Sequence, residues 1–177
     1  MIETNYPIGA LSILLDRGCL IERYYPLISC RDALLTNLPL LGCRTKNDAA
    51  GLSDETLLGI GLPDRTAAKL LRRFFALYDT DPKKFREIEK AAADPAERAA
   101  FRELYHLPGV RAIRAGLYCR AGYDTLRKIA DAAPEEIIKR SALVIQADHL
   151  SCAVPLPKEA RTHVAVARAF LWDAEQP

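Results

Sequence analysis

Few residues in the chain could take part in covalent chemistry. Asp148 and His149 lie just before Cys152, and the last two could be drawn as a base and a nucleophile. They are close in sequence, and no third group is placed to orient the histidine, as nucleophilic catalysis requires. The chain also carries no Walker-type phosphate loop and no dinucleotide-binding glycine fingerprint. The sequence therefore predicts no enzyme active site and no cofactor.

Two glycine turns followed by basic side chains are better candidates for binding. Gly61 separates two short apolar segments within residues 58–71, and Gly109 does the same within residues 104–117. A helix that begins after such a turn has unpaired backbone N–H groups, which favour an anion such as phosphate. The basic residues behind the two glycines are Arg65, Lys69 and Arg72 for the first and Arg111 and Arg114 for the second.

The composition excludes several classes of protein. Half of the 177 residues are apolar and 27% are charged, as in ordinary soluble proteins, so intrinsic disorder is not expected. No apolar run is long enough to span a membrane. The net charge of +2 is too small to indicate nucleic-acid binding by itself. Residues 60–140, however, hold 17 basic and 12 acidic side chains, so the positive charge is concentrated in the middle of the chain.

The cysteines indicate neither a disulfide framework nor a metal site. Their number is odd, and no two form a Cys-x-x-Cys pair. Each is flanked by apolar residues and is expected to pack as a small hydrophobic side chain. No signal peptide is visible at the N-terminus, so we expect a cytoplasmic location. The five are Cys19, Cys30, Cys43, Cys119 and Cys152.

Helical periodicity dominates the chain. Apolar residues recur on one face from Arg65 to Tyr78. Helix starts are predicted at Asp81-Pro82 and Asp94-Pro95, because aspartate caps a helix and proline suits its first turn. Pro134 begins another helix, and residues 158–172 form the last one. No stretch alternates with a period of two, so the sequence predicts an all-α fold of roughly nine or ten short helices.

An internal repeat links two parts of the chain. A gapless shift of 80 residues aligns Gly42 with Gly122 and Thr45 with Thr125. A glycine at such a position ends one helix in a left-handed cap, and the threonine caps the next short helix. The shift therefore predicts the same helix–turn–helix arrangement twice.

These segments resemble a known family. Leu107-Pro108-Gly109-Val110, then residues 121–126 and 133–137, look like a helix-hairpin-helix domain. The chain is most similar to bacterial proteins of unknown function with tandem hairpins. It is more distantly similar to the DNA-binding C-terminal domain of the bacterial RNA polymerase alpha subunit. The matching segments, residues 42–78 and 104–140, cover under half of the chain.

The resemblance implies contact with a nucleic-acid backbone that does not depend on base sequence. In such hairpins the N–H groups of the glycine turn cradle a phosphate, and basic residues of the following helix add affinity. The residues that would make these contacts are Gly109, Val110, Arg111 and Arg114 in the second copy and Gly61, Arg65, Lys69 and Arg72 in the first.

The chain departs from the family pattern at the second glycine of each turn. Pro63 stands there in the first copy and has no N–H to donate. Arg111 stands there in the second copy and adds a guanidinium that can bind phosphate through two hydrogen bonds. Asp64 would also oppose an anion at the first copy. The second copy is therefore the expected site of contact.

We thus expect one compact helical domain, residues 1–177, with a SAM-like arrangement of hairpin units. The units are residues 42–80 and 104–140, with additional helices in residues 1–40 and 141–177. The partner is the backbone of DNA or RNA; alternatively, the hairpins are only structural and the partner is another protein. Basic side chains grouped beside the Gly109 turn favour the first alternative, and pairing with acidic residues favours the second. No membrane partner and no metal site are expected.

Overall fold

The computed structural model describes residues 4–79 and 81–172, and over these ranges the protein is all-helical, as predicted. There the only β pairing is an isolated bridge between Pro7 and Thr45. Short 3-10 helices occupy Ile8–Ala10, Glu22–Cys30 and Ala76–Tyr78. The α-helices in chain order are α1 (Leu11–Leu14), α2 (Arg31–Leu40), α3 (Lys46–Ala50), α4 (Asp54–Gly59), α5 (Arg65–Phe75), α6 (Pro82–Ala91), α7 (Pro95–Leu104), α8 (Ala112–Arg120), α9 (Leu126–Ala130), α10 (Pro134–Ala147) and α11 (Pro157–Phe170). Across the described ranges, no helix is both long and apolar enough to cross a membrane.

Local capping explains where several helices begin. The Asp81 carboxylate accepts a hydrogen bond from the Lys83 N–H at 2.8 Å, and α6 follows with proline in its first turn. Asp94 caps α7 in the same way, through the Glu97 N–H at 2.8 Å. These two predicted starts and the start of α10 at Pro134 are confirmed. The last helix begins one residue earlier than predicted, at Pro157.

The described residues pack as two compact units. The N-terminal unit contains residues 5–77 and 169–172, and the C-terminal unit contains residue 4 and the described residues from 78 to 168. Each has its own buried apolar core, and burial of apolar area is the main stabilising contribution. Fully buried core residues include Leu11, Leu27, Leu34, Leu38 and Phe74 in the first unit and Leu104, Tyr118, Ile129 and Ile137 in the second.

The 80-residue repeat is visible as a repeated turn. Gly42 and Gly122 both adopt positive φ, at 80° and 90°. The next residue of each turn bonds back five residues: Cys43 N–H to Leu38 O at 3.1 Å, and Tyr123 N–H to Tyr118 O at 2.8 Å. These bonds are those of left-handed helix caps. Helices α3 and α9, which follow the two turns, also coincide after the shift.

The two glycine elbows, Gly61 and Gly109, are not copies of each other in this register. The shift of 80 places Gly61 on Ser141, inside α10, and Gly109 on Ser29, inside the 3-10 helix Glu22–Cys30. Gly61 follows α4, and α10 is the helix at the same place in the C-terminal unit. The residue that corresponds to Gly61 is therefore His149, which follows α10 and has φ 50°. A histidine therefore takes the left-handed position that a glycine takes in the N-terminal unit.

The same pattern of hydrogen bonds supports this correspondence. Leu62 N–H donates to Leu57 O at 3.3 Å after Gly61, and Leu150 N–H donates to Ile145 O at 3.1 Å after His149. Both bonds span five residues and close the end of a helix. The sequence predicts that Gly61 and Gly109, 48 residues apart, are equivalent turns; the structure instead places them at different positions in the order of helices of the two units.

Replacing Gly42 or Gly122 with alanine is expected to lower the free energy of unfolding by about 1–2 kcal/mol, because a Cβ is strained at these φ values. No steric conflict complicates either site, since the nearest atom to a built Cβ is Arg140 Nη1 at 3.9 Å from that of Gly122. Gly59→Ala is the matched control: Gly59 is the last residue of α4, lies in open space and is not at positive φ, so alanine should stabilise by up to about 0.5–1 kcal/mol. Urea denaturation measures all three. Equal effects at Gly59 and Gly122 would contradict the assignment.

Candidate nucleic-acid interface

The Gly109 turn, residues Leu107–Val110, connects α7 to α8, and its glycine is exposed while Leu107 and Val110 are buried. The Val110 N–H donates to Leu107 O at 3.2 Å, and Gly109 has φ 75°. Proline followed by a positive-φ glycine at the centre of such a bond is typical of a type II turn. Gly109 is exposed, and a Cβ built on it would meet nothing within 4 Å. A ligand therefore has open access to the turn.

Helix α8 begins immediately after this turn without a side-chain cap. Its N-cap residue, Arg111, has extended backbone with φ −130° and makes no capping bond. The first turn of α8 contains no acidic residue. The partial positive charge of the helix N-terminus is thus not neutralised by a carboxylate of its own helix.

Arg111 lies on the surface beside this helix start. Its Nη1 donates to Glu87 Oε2 of α6 at 2.6 Å, with 54% of the arginine side chain and 49% of the glutamate side chain exposed. Burial, and secondarily the charge of Arg111, lowers the pKa of nearby Lys84. An exposed pair of this kind is worth little in stability, so Arg111 can exchange its partner for another anion.

Arg114 and Val110 are engaged inside the C-terminal unit. Arg114 bonds Glu159 of α11 through Nε at 2.8 Å and the Ala153 carbonyl through Nη1 at 2.8 Å, with 18% of its side chain exposed. Val110 is fully buried, and its N–H is used by the turn. Neither the side chain nor the amide of Val110 is left for a ligand. Both residues were predicted to contact a nucleic-acid backbone. In the structure their hydrogen bonds go to other groups of the protein.

The Gly61 turn, residues 60–64, is closed to anions. The N–H groups of Gly61 and Leu62 donate to Leu58 O and Leu57 O, and Pro63 has none. The Asp64 carboxylate accepts the Ala67 N–H at 2.8 Å and so occupies the N-terminus of α5. A second negative group would be repelled there.

The turn also packs tightly against α2. A Cβ on Gly61, at φ 108°, would lie 3.0 Å from Ala33 Cβ. Asn37 Nδ2 donates to Ile60 O at 2.9 Å. This close approach accounts for the glycine by packing alone.

The basic residues after the Gly61 turn are mostly paired with α4. Arg72 bonds the Asp54 carboxylate, and that bond lowers the pKa of Asp54. Arg72 also donates to Leu52 O at 2.8 Å. Arg65 lies 3.5 Å from Glu55, with both side chains exposed. Lys69 is exposed on the same helix. The predicted residues of the two turns belong to different units, and four of the five arginines and lysines pair with acidic residues.

His163 of α11 contacts the Gly109 turn through the Pro108 carbonyl. The sequence predicted no role for this histidine. It is 1% exposed, with Nδ1 2.7 Å from the Tyr118 hydroxyl and Nε2 2.9 Å from the Pro108 carbonyl oxygen. The signal for its burial was present, because it shares the apolar face of α11 with Ala160, Val164 and Ala167 at helical spacing. Its partners could not be predicted from that spacing.

The described side chains give no indication of a reactive centre. Among them, no group of three histidine, cysteine or acidic residues is placed to bind a metal ion. The five cysteines form no disulfide. Burial raises the pKa of Cys119 to about 11, so its thiol stays protonated and weakly nucleophilic.

Comparisons with known proteins add no assignment to this geometry. No family model matches the chain, and no match is found among curated proteins or among solved structures.

Proposed function

We propose that the chain is a non-catalytic helix-hairpin-helix module that binds the backbone of a nucleic acid, DNA in the first instance, through the Gly109 turn. The observation that carries the proposal is the difference between two helix starts. Helix α8 begins without an acidic residue beside an exposed glycine and an exposed arginine. Helix α5 begins with a carboxylate, from Asp64, at the same place. The absence of a capping carboxylate at the start of α8 supports phosphate contact there rather than at α5.

The contact is formed by backbone and side chain together. A phosphate at the start of α8 accepts hydrogen bonds from N–H groups of its first turn. Arg111 leaves Glu87 and pairs with the same phosphate through its guanidinium. None of these groups reads a base, so binding is independent of sequence, and so few contacts make it weak.

Arg111→Ala is expected to weaken binding to a short DNA duplex by about tenfold and to reduce the salt slope by about 1. The measurement is fluorescence anisotropy over a salt series, with single-stranded DNA and RNA probes in parallel. Arg65→Ala is the matched control, because Arg65 is also an exposed arginine paired with a glutamate after a glycine turn. It should leave affinity unchanged. Absence of binding at low salt, or equal losses in the two variants, would refute the proposal.

A second candidate is a protein-interaction scaffold in which the hairpins are structural. The ion pairs of Arg72 and Arg114 within the protein favour it. So does exposed apolar surface in the C-terminal unit, where Ile113 is 73% exposed at the edge of a groove of about 430 Å³ between α7, α8 and residues 150–152. Failure of every nucleic-acid probe at low salt would favour this candidate.

A further inference from the structure

The imidazole of His163 connects α11 to the Gly109 turn. The Pro108 carbonyl at 2.9 Å has no proton to give, so Nε2 of His163 must be the donor in that bond. In a neutral imidazole Nδ1 is then unprotonated, and the Tyr118 hydroxyl at 2.7 Å must donate to it. The bond to Tyr118 is buried and the bond to Pro108 is partly buried, and together they fix the ring and one carbonyl of the turn.

We infer that His163 is a positioning residue for the Gly109 turn and that its protonation releases the turn from α11. The inference deepens the proposed function and rests on it for its consequence, because a released turn no longer presents the start of α8 in one conformation. The contact of the turn with α11 can nevertheless be measured without any nucleic acid.

Protonation strains this arrangement because the ring is 1% exposed and an imidazolium there has no water around it. An imidazolium carries an N–H on both nitrogens, so the Tyr118 hydroxyl would have to turn its own proton away and accept from Nδ1 instead. The charged groups that act on the ring are Glu159 of α11 and Arg114 of α8, which are already paired with each other. Desolvation disfavours the buried cation and lowers the pKa of His163. The bond to the Pro108 carbonyl favours the cation, but desolvation is the larger effect, so the charged ring gains by reaching water when α11 separates from the turn.

Hydrogen exchange at two turns of the C-terminal unit tests the inference. The Val110 amide reports on the Gly109 turn, and the Tyr123 amide, bonded to Tyr118 O, reports on the Gly122 turn as an internal reference. Between pH 7.5 and pH 5.5, protection of Val110 relative to Tyr123 should fall by about tenfold in the wild type, which is one pKa unit of linkage. His163→Gln keeps an N–H donor but does not titrate, so its ratio should stay constant.

Tyr118→Phe is a second variant in case glutamine disturbs folding. It removes the bond that stabilises the neutral ring, so the folded-state pKa of His163 should rise toward its ordinary value and acidification should cost less Val110 protection than in the wild type. His106→Gln, which replaces a histidine bonded to Thr4 rather than to the turn, should keep the wild-type response. A parallel fall of Val110 and Tyr123, or a wild-type response in His163→Gln, would overturn the inference.

The binding assay separates this inference from the proposed function. If the wild type binds no probe, the proposed function fails while the exchange result still decides the role of His163. If the wild type binds, acidification should raise the affinity of the His163→Gln variant for the probe, because the protein gains positive charge. The affinity of the wild type should rise less. An identical pH dependence in both would show that the position of the turn does not affect binding.

Discussion

Arg114→Ala is expected to lower the free energy of unfolding by about 2 kcal/mol, whereas Arg111→Ala should change it by less than about 0.5 kcal/mol. The two arginines are three residues apart, but their surroundings differ. Arg114 is 18% exposed and pairs with Glu159, which is 29% exposed, so its removal leaves a partly buried carboxylate without its cation. Arg111 and Glu87 are both about half exposed, and water replaces either partner at little cost.

Urea denaturation of two double-mutant cycles measures this difference. The cycle of Arg114 and Glu159 should give a coupling energy of about 1 kcal/mol or more, and that of Arg111 and Glu87 close to zero. Together with the binding assay, we expect substitution of Arg114 to lower stability and substitution of Arg111 to lower affinity for the nucleic acid. A coupling energy at Arg111 as large as that at Arg114 would contradict the distinction drawn between them.

The sequence could not distinguish these arginines, because their partners are brought to them by packing. Glu87 lies on α6 and Glu159 on α11, 24 and 45 residues away from the arginines they bind. A pattern of basic residues after a glycine predicts a basic surface only when no acidic side chain from elsewhere reaches it. The charge of the central segment was therefore a poor guide to the charge of any one surface.

Local signals were sufficient where the cause is local. Asp81 and Asp94 set the starts of α6 and α7, and the caps at Gly42 and Gly122 follow from glycine's access to positive φ. Asp64 belongs to the same class: its place before α5 identifies it as a cap, and a cap of that charge already implies a site closed to anions.

Turns that depend on tertiary contacts gave weaker signals. Gly61 and Gly109 look alike in sequence, but one is explained by its approach to Ala33 and the other projects into solvent. His149 adopts the left-handed conformation, which a histidine in the sequence does not predict as a glycine would. The 48-residue correspondence was drawn from residue type, and the structure pairs the turns by their place in the order of helices.

Acidification from about pH 7 to pH 5 is expected to destabilise the protein through two histidines. Burial lowers the pKa of His163 and of His106 from the ordinary value of 6.5. Their contribution to stability is fully present above about pH 6.5 and is lost as the pH falls through the lower values of the folded state, because only the unfolded chain binds the protons readily. The slope of the free energy of unfolding against pH approaches about 1.4 kcal/mol per pH unit for each such histidine. His163, the more buried of the two, should give the larger part.

The carboxylates act in a different range and can be separated from the histidines. Hydrogen bonds lower the pKa values of Asp48, Asp54 and Glu136, so their contribution is lost only as the pH falls below about 4. Urea denaturation at steps between pH 7.5 and pH 4.5 should therefore show a decline that His163→Gln mostly removes and that the double variant with His106→Gln abolishes. A decline that persists in the double variant would place the acid sensitivity elsewhere, and the buried imidazole of His163 would then not be its source.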